Sequence, residues 1–140
     1  MRSSFSDRKA AFAKGFVSAY LRVLQSILET NWSDCPANLE VVEQIVLARN
    51  RGQHGEHLSS FDVTHDGSTL EKYPSPYFVS PDERELFGEH WGASATFLMP
   101  TLEVTRKSLF SALDEVSKLA DYIEDRLPIA WEWRNRQVCE

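Results

Sequence analysis

Apolar residues recur along this chain at two spacings, and the switch between them divides it into elements. From about residue 5 to 30, Phe12, Phe16, Tyr20, Val23 or Leu24, and Ile27 return every three or four positions, the repeat of one helical face. Ala10, Ala11, Ala13 and Ala19 add helix propensity. The stretch from Asn31 to Pro36 breaks the pattern, and Pro36 stands where a first helical residue belongs. A second helix is predicted over about 36–53, with Leu39, Val42, Ile45, Val46 and Ala48 on its buried side and Gly52 and Gly55 as stopping points. The spacing then shortens. Phe61 and Val63 alternate with Asp62 and Thr64, Asp66-Gly67 is a hairpin-turn pair, and Leu70 and Lys72 would pair back. This predicts a small β-hairpin around residues 59–73, within an inserted loop at 58–80 that Pro74 and Pro76 keep extended.

Helical spacing returns at Ser80-Pro81-Asp82-Glu83, where Ser caps, Pro takes the first position and Glu83 completes a capping box. Gly88 and Gly92 keep that helix short. A last long helix is predicted over about 93–127 on a stripe of Leu102, Leu109, Leu113, Val116, Ala120, Ile123 and Leu127. Pro100 would kink or restart it and Pro128 would end it. Residues 128–140 then form a tail rich in Trp and Arg. The fold class that follows is all-α: an antiparallel bundle of about four helices with a hairpin insertion, in a single domain over 1–140.

Composition narrows the possible functions. Hydrophobic residues make up 42% and charged residues 26%, as in an ordinary globular chain. No apolar run approaches the roughly 20 residues of a membrane span. The first residues lack a signal peptide's apolar stretch, so a cytoplasmic location without membrane association is the expectation. Cys35 and Cys139 form no CxxC pair and no disulfide framework. The net charge of -6 argues against a broad nucleic-acid surface, so any RNA contact must be local.

The residues with most chemistry are Arg49-Asn50-Arg51-Gly52-Gln53-His54-Gly55-Glu56-His57, which an apolar helical stripe runs straight into. An Arg guanidinium offers a planar fork suited to phosphate, and His can take and give a proton near neutral pH. Arg–His pairs at similar spacing also occur at Arg51–His57 and Arg84–His90, but only Arg49 is followed directly by Asn, Asp or His. In an ideal helix Asn50 and His54 share a face, whereas Arg49 and His54 lie about 140° apart. Either the helix unwinds near Gly52, or the two groups that meet come from two chains. Metal-free RNA cleavage needs a base for the 2′-OH, an acid for the leaving oxygen and positive charge for the phosphorane. His54, Arg49 and His57 are of the required types.

The run Arg49-Asn50-Arg51-Gly52-Gln53-His54 resembles the signature of the HEPN superfamily. These are small all-helical domains, usually dimeric, and many are metal-independent endoribonucleases. The resemblance implies catalytic roles for Arg49, Asn50 and His54 in a cleft at a homodimer interface, without cofactor or metal. Arg51, Gln53 and His57 fall beside them as substrate-binding candidates. The resemblance also implies an RNA substrate and a toxin or defence setting, with an antitoxin or other protein partner. Some HEPN toxins carry a modifiable Tyr two residues past the His; here that position is Glu56. The resemblance does not extend to residues 59–79 or to the Trp-rich tail. A catalytically inactive HEPN-like module for dimerisation or protein interaction is the alternative.

Other candidates are weaker. His54 and His57 at i, i+3, followed by Asp62, His65 and Asp66, have no dependable third ligand spacing for zinc. Otherwise Asp66 serves the hairpin turn and His65 is ordinary surface. Trp131, Trp133, Arg134 and Arg136 could stack and clamp a single strand, but such a segment more often packs on a bundle or a partner. There is no nucleophile elbow and no Gly-rich phosphate loop.

Overall fold

The computed structural model of the protein describes residues 15–53, 63–87 and 99–138, and six α-helices lie among them. They are α1 (Phe16–Ile27), α2 (Leu39–Gln53), α3 (Gly67–Lys72), α4 (Pro81–Phe87), α5 (Arg106–Glu124) and α6 (Leu127–Val138). A 3-10 turn at Trp32–Asp34 lies between the first two. The all-α class expected from the sequence therefore holds at the coarse level. The chain divides into two compact units. One comprises Met1–Leu39 with Asp114–Glu140, the other Glu40–Leu113.

In the first unit, α1 starts at Gly15, whose φ of 102° is open to glycine and strained for other residues. It ends at Leu28, a buried residue whose N–H bonds to the Leu24 carbonyl. The face buried on α1 is only partly the expected one, with Leu24 and Ile27 half-buried. Ala19 is buried, while Phe16, Tyr20 and Val23 are each more than half exposed. α6 packs against α1, so the segment expected as a tail is helical through Val138. Pro128 lies in the first turn of that helix, which starts at Leu127, instead of ending α5, because its fixed φ and missing N–H are harmless there.

A chain of donors ties this unit together. Arg126 Nε donates to Thr30 Oγ1 at 3.2 Å, the Thr30 hydroxyl lies 2.6 Å from the Tyr122 oxygen, and the Tyr122 hydroxyl donates to the Asn31 carbonyl at 3.1 Å. The Arg126 guanidinium also lies 3.5 Å from the centre of the Tyr122 ring. Trp32 packs at 5.9 Å from the same ring and donates its indole N–H to the Leu21 carbonyl at 2.8 Å.

The second unit has its core at Val41, Phe78 and Ala112, with Ile45, Ala48, Tyr77 and Leu102 packed on it. The face of α2 turned inward is Val41, Gln44, Ile45 and Ala48, shifted from the predicted Leu39, Val42 and Val46. Gln44 explains the shift. It is buried, and its amide oxygen accepts the Tyr77 N–H at 2.7 Å, a contact no apolar pattern reveals.

The β-hairpin expected around 59–73 is not seen; residues 59–62 lie outside the described residues, and from 63 onward the chain does something else. Val63 and Thr64 pair with residues 101–102, not with Leu70 and Lys72. The Leu102 N–H donates to the Val63 carbonyl at 2.6 Å and the His65 N–H to the Pro100 carbonyl at 2.9 Å, around an antiparallel bridge between Thr64 and Thr101. The far edge of the same segment pairs with residues 78–79, through a Val79–Leu102 bridge and the Glu103 N–H to the Phe78 carbonyl. Asp66-Gly67 makes no hairpin turn, because the Asp66 carboxylate caps α3, accepting the Thr69 N–H at 2.7 Å and the Ser68 hydroxyl at 2.6 Å.

α4 begins at the predicted Ser80 cap, whose hydroxyl accepts the Glu83 N–H at 3.0 Å, but Glu83 does not complete the expected capping box. Glu83 itself accepts from the Thr101 N–H at 3.1 Å and the Thr101 hydroxyl at 3.0 Å. Of the helix predicted over 93–127, residues 93–98 lie outside the described residues, 99–105 are non-helical, and α5 runs from Arg106 to Glu124. Pro100 is fully buried there, where it cannot donate and its carbonyl accepts from His65.

Tyr122→Phe should therefore lower unfolding stability by about 1 kcal/mol, since it removes the hydroxyl's bonds to the Asn31 carbonyl and the Thr30 hydroxyl, which keep only the Asp34 N–H and Arg126 as partners. A urea titration reads this as a lower midpoint at unchanged slope. Arg134→Ala, at an exposed position on α6, should change stability by less than about 0.5 kcal/mol. Equal effects of the two would show that the donor chain does not hold the unit.

Candidate functional site

The last turns of α2 carry four of the six residues singled out by sequence. Arg49 is exposed, and its guanidinium makes one long bond, Nη1 to the Asn50 side-chain oxygen at 3.4 Å. Among the described residues no carboxylate forms an ion pair with it. Gln53 is exposed one turn further along the same face. His54 and His57, the two imidazoles of the motif, lie outside the described residues. The unwinding near Gly52 that would bring Arg49 and His54 of one chain together is not seen. Gly52 is helical, and a Cβ there would meet nothing within 4 Å. The glycine is thus neither a stop nor a point of close approach, and α2 stays regular to Gln53.

Arg51 faces elsewhere. Two residues on from Arg49 it is turned by about 200° around the axis, and it is half-buried, with Nε donating to the Thr64 carbonyl at 2.8 Å. That bond ties the end of α2 to the segment that pairs with residues 101–102. Arg51 also lines a recess with Gln44, Ala48, His65, Asp66 and Thr69 that has a volume of about 10 Å³, room for about one water.

His65 is buried at 5% exposure, which corrects its expected place on the surface. Its ring Nε2 donates to the Phe78 carbonyl at 2.7 Å, so Nδ1 is the bare nitrogen when the ring is neutral. Burial lowers its proton affinity below the ordinary value of 6.5, against the raising effects of that bond, Asp66 and Glu83. Asp66 goes the other way. Burial raises its pKa, but the bonds from Ser68 and Thr69 and the charge of Arg51 outweigh it and hold the carboxyl below its ordinary range. The recess thus sets a guanidinium and an ionised carboxylate around a neutral imidazole. Too small for a nucleotide, it joins α2, α3 and the paired segments.

Sequence reasoning missed this cluster because it read Asp66-Gly67 as a turn. The available signal was Asp66 followed at the third position by Thr69 and then by Leu-Glu-Lys, a helix start. A second buried polar pair lies nearby on α2. The Tyr73 hydroxyl donates to Glu43 at 2.6 Å while Lys72 ion-pairs with the same carboxylate, and burial together with the Glu43 charge pushes the phenol well above its ordinary range.

Among the described residues no three His, Cys, Asp or Glu side chains gather as metal ligands. No described helix is long and apolar enough to cross a membrane. Comparison with known proteins gives no match to a family model, to a curated protein or to a solved structure.

The pH dependence of stability follows from His65. Its folded pKa lies below its unfolded one, so between the two the unfolded chain holds more protons and stability rises with pH. The stabilisation is complete above about 6.5 and is lost as pH falls below it, whereas carboxylates such as Asp66 enter only below about 4. The urea midpoint of the wild type should fall between pH 7 and pH 5. His65→Gln, which keeps a donor for Phe78, should flatten that fall; an unchanged slope would place the titrating group elsewhere.

Proposed function

We propose that the chain is a metal-independent endoribonuclease of HEPN type, acting at a site composed across a homodimer. The observation that carries this reading is Arg49, a guanidinium on a regular helix, exposed beside Asn50 and with no ion-pair partner among the described residues. A guanidinium without an ion-pair partner, most of its donors unused, is what a phosphorane requires. α2 is regular to Gln53, and in this reading the groups that meet come from two chains. Two-fold symmetry brings two copies of each group to one seam. In this reading His54 exchanges protons with the 2′-OH and the leaving oxygen, Arg49 takes up the charge that develops, and Asn50 orients the phosphate. Gln53 and His57 flank the strand. Arg51 anchors the helix through Thr64, so its part in substrate binding is secondary. The toxin or defence setting and an antitoxin partner belong to the same proposal, as does a bundle arrangement of the helices.

A second reading, a silent module for dimerisation or partner binding, is favoured by two observations. One cation of the motif is spent on a backbone carbonyl, and the chain is acidic overall. The test is incubation of the purified protein with single-stranded RNA in EDTA, beside Arg49→Ala and His54→Ala. Each substitution should lower cleavage by about 100-fold or more with unchanged helical circular dichroism. Cleavage that persists at the wild-type rate in either variant overturns the mechanism, and no cleavage by the wild type leaves the module.

A further inference from the structure

A second place on the chain gathers positive charge, and it lies away from the end of α2. A groove of about 380 Å³ runs between α4 and the start of α5 within the Glu40–Leu113 unit. Its volume falls within the range of small-ligand sites, about 300–1,000 Å³. Arg84 comes to it from α4 and Lys107 from α5, with Ser111 one turn beyond Lys107. Tyr77, Val79 and Pro81 supply apolar surface.

Three features point to an anion with an organic body. First, among the described residues the lining holds two cations and no carboxylate, in a chain where 21 acidic residues outnumber 15 basic ones. Neither cation forms an ion pair among the described residues. Second, Arg84 is held in place by neutral groups. Its Nη2 donates to the carbonyls of Pro76 at 3.2 Å and Tyr77 at 3.0 Å, which fixes the fork and leaves its charge uncompensated. Third, the Ser111 hydroxyl has no hydrogen-bond partner among the described residues. The hydroxyls of Thr105 and Ser108, by contrast, are spent on each other and on the first turn of α5. The pull on an anion therefore comes from side chains of two helices, since the helix start is already capped.

The geometry points to this groove as a binding site for a small phosphomonoester. Arg84 and Lys107 take the phosphate, Ser111 donates to it, and the body of the ligand lies on Tyr77, Val79 and Pro81. With Nη2 held by the two carbonyls, Arg84 offers its charge and its Nη1 and Nε donors, and Lys107 adds a point charge, together matching a dianion. The site is independent of the ribonuclease reading and shares no residue with it.

The test is calorimetric titration of the full chain with adenosine 5′-monophosphate and, separately, with inorganic phosphate. Saturable binding of the nucleotide is expected, at least about tenfold tighter than inorganic phosphate because only the nucleotide uses the apolar surface. Lys107→Ala should weaken it by about tenfold or more. Ser111→Glu, which puts a carboxylate into the groove, should abolish it. Both positions are exposed, and an unchanged melting curve checks that the fold is intact. Lys72→Ala, which breaks an ion pair with Glu43 outside the groove, should leave affinity unchanged. Absence of saturable binding, or binding indifferent to Ser111→Glu, overturns the site. Equal affinity for the two probes overturns the organic ligand.

Discussion

The segment from Pro100 to Glu103 is bonded along both edges, and the larger unit depends on it. One edge takes Val63 and His65, the other takes Phe78, and the Thr101 N–H is claimed by Glu83. Buried backbone groups must be paired, and a short non-helical segment cannot pair its own. It therefore recruits three stretches far apart in sequence. The Phe78 carbonyl accepts twice, from Glu103 and from His65, so one oxygen joins the pairing to the imidazole. α3 and α4 are short helices whose starts lie within a few residues of these pairings. Each would be marginal alone, and tertiary anchoring is what sustains helices of six or seven residues.

Several polar side chains in this unit serve structure where their type suggested chemistry. His65 is a buried donor, Asp66 a cap and Arg51 a tie to Thr64. Gln44 and Glu43 close gaps left by Tyr77 and Tyr73. Every buried side-chain polar atom among the described residues finds a partner. Such satisfied groups add little net stability each, about 1 kcal/mol, but a wrong arrangement would strand them at higher cost. They select one packing over others with the same apolar burial.

What is left over is informative for function. Arg49, Arg84 and Lys107 are cations that no described carboxylate neutralises, on a chain with a net charge of -6. Cations scattered on an acidic surface draw anions only where neighbouring groups focus them. Arg49 has Asn50 beside it at a helix end, and Arg84 and Lys107 share a groove. At these two places phosphate chemistry of different kinds is proposed, a diester held across two chains at Arg49 and a monoester seated on an apolar floor at Arg84 and Lys107.

The helices at 39–53 and 81–87 were legible in order and nearly in extent, and that at 16–27 lies within the stretch predicted over 5–30, because apolar spacing and the Ser80-Pro81 cap are local properties of the chain. The exposed Arg49 beside a half-buried Asn50 on the last turns of α2 was legible too, because a helix carries its own geometry. The role of Asp66-Gly67 was not: a turn pair and a helix cap have the same local signature, and the choice was made by residues 101–102, which took the partners a hairpin would have used. The break before Arg106 was hidden for the same reason, since the apolar stripe through Leu102 suits a helix as well as a bridged segment. Burial of His65 and Gln44 depended on a carbonyl at 78 and an N–H at 77, more than ten positions away in each case. Spacing along the chain decides which groups share a helix face. Only the closed fold decides which distant backbone groups need a partner, and those needs turned candidate reactive groups into ties.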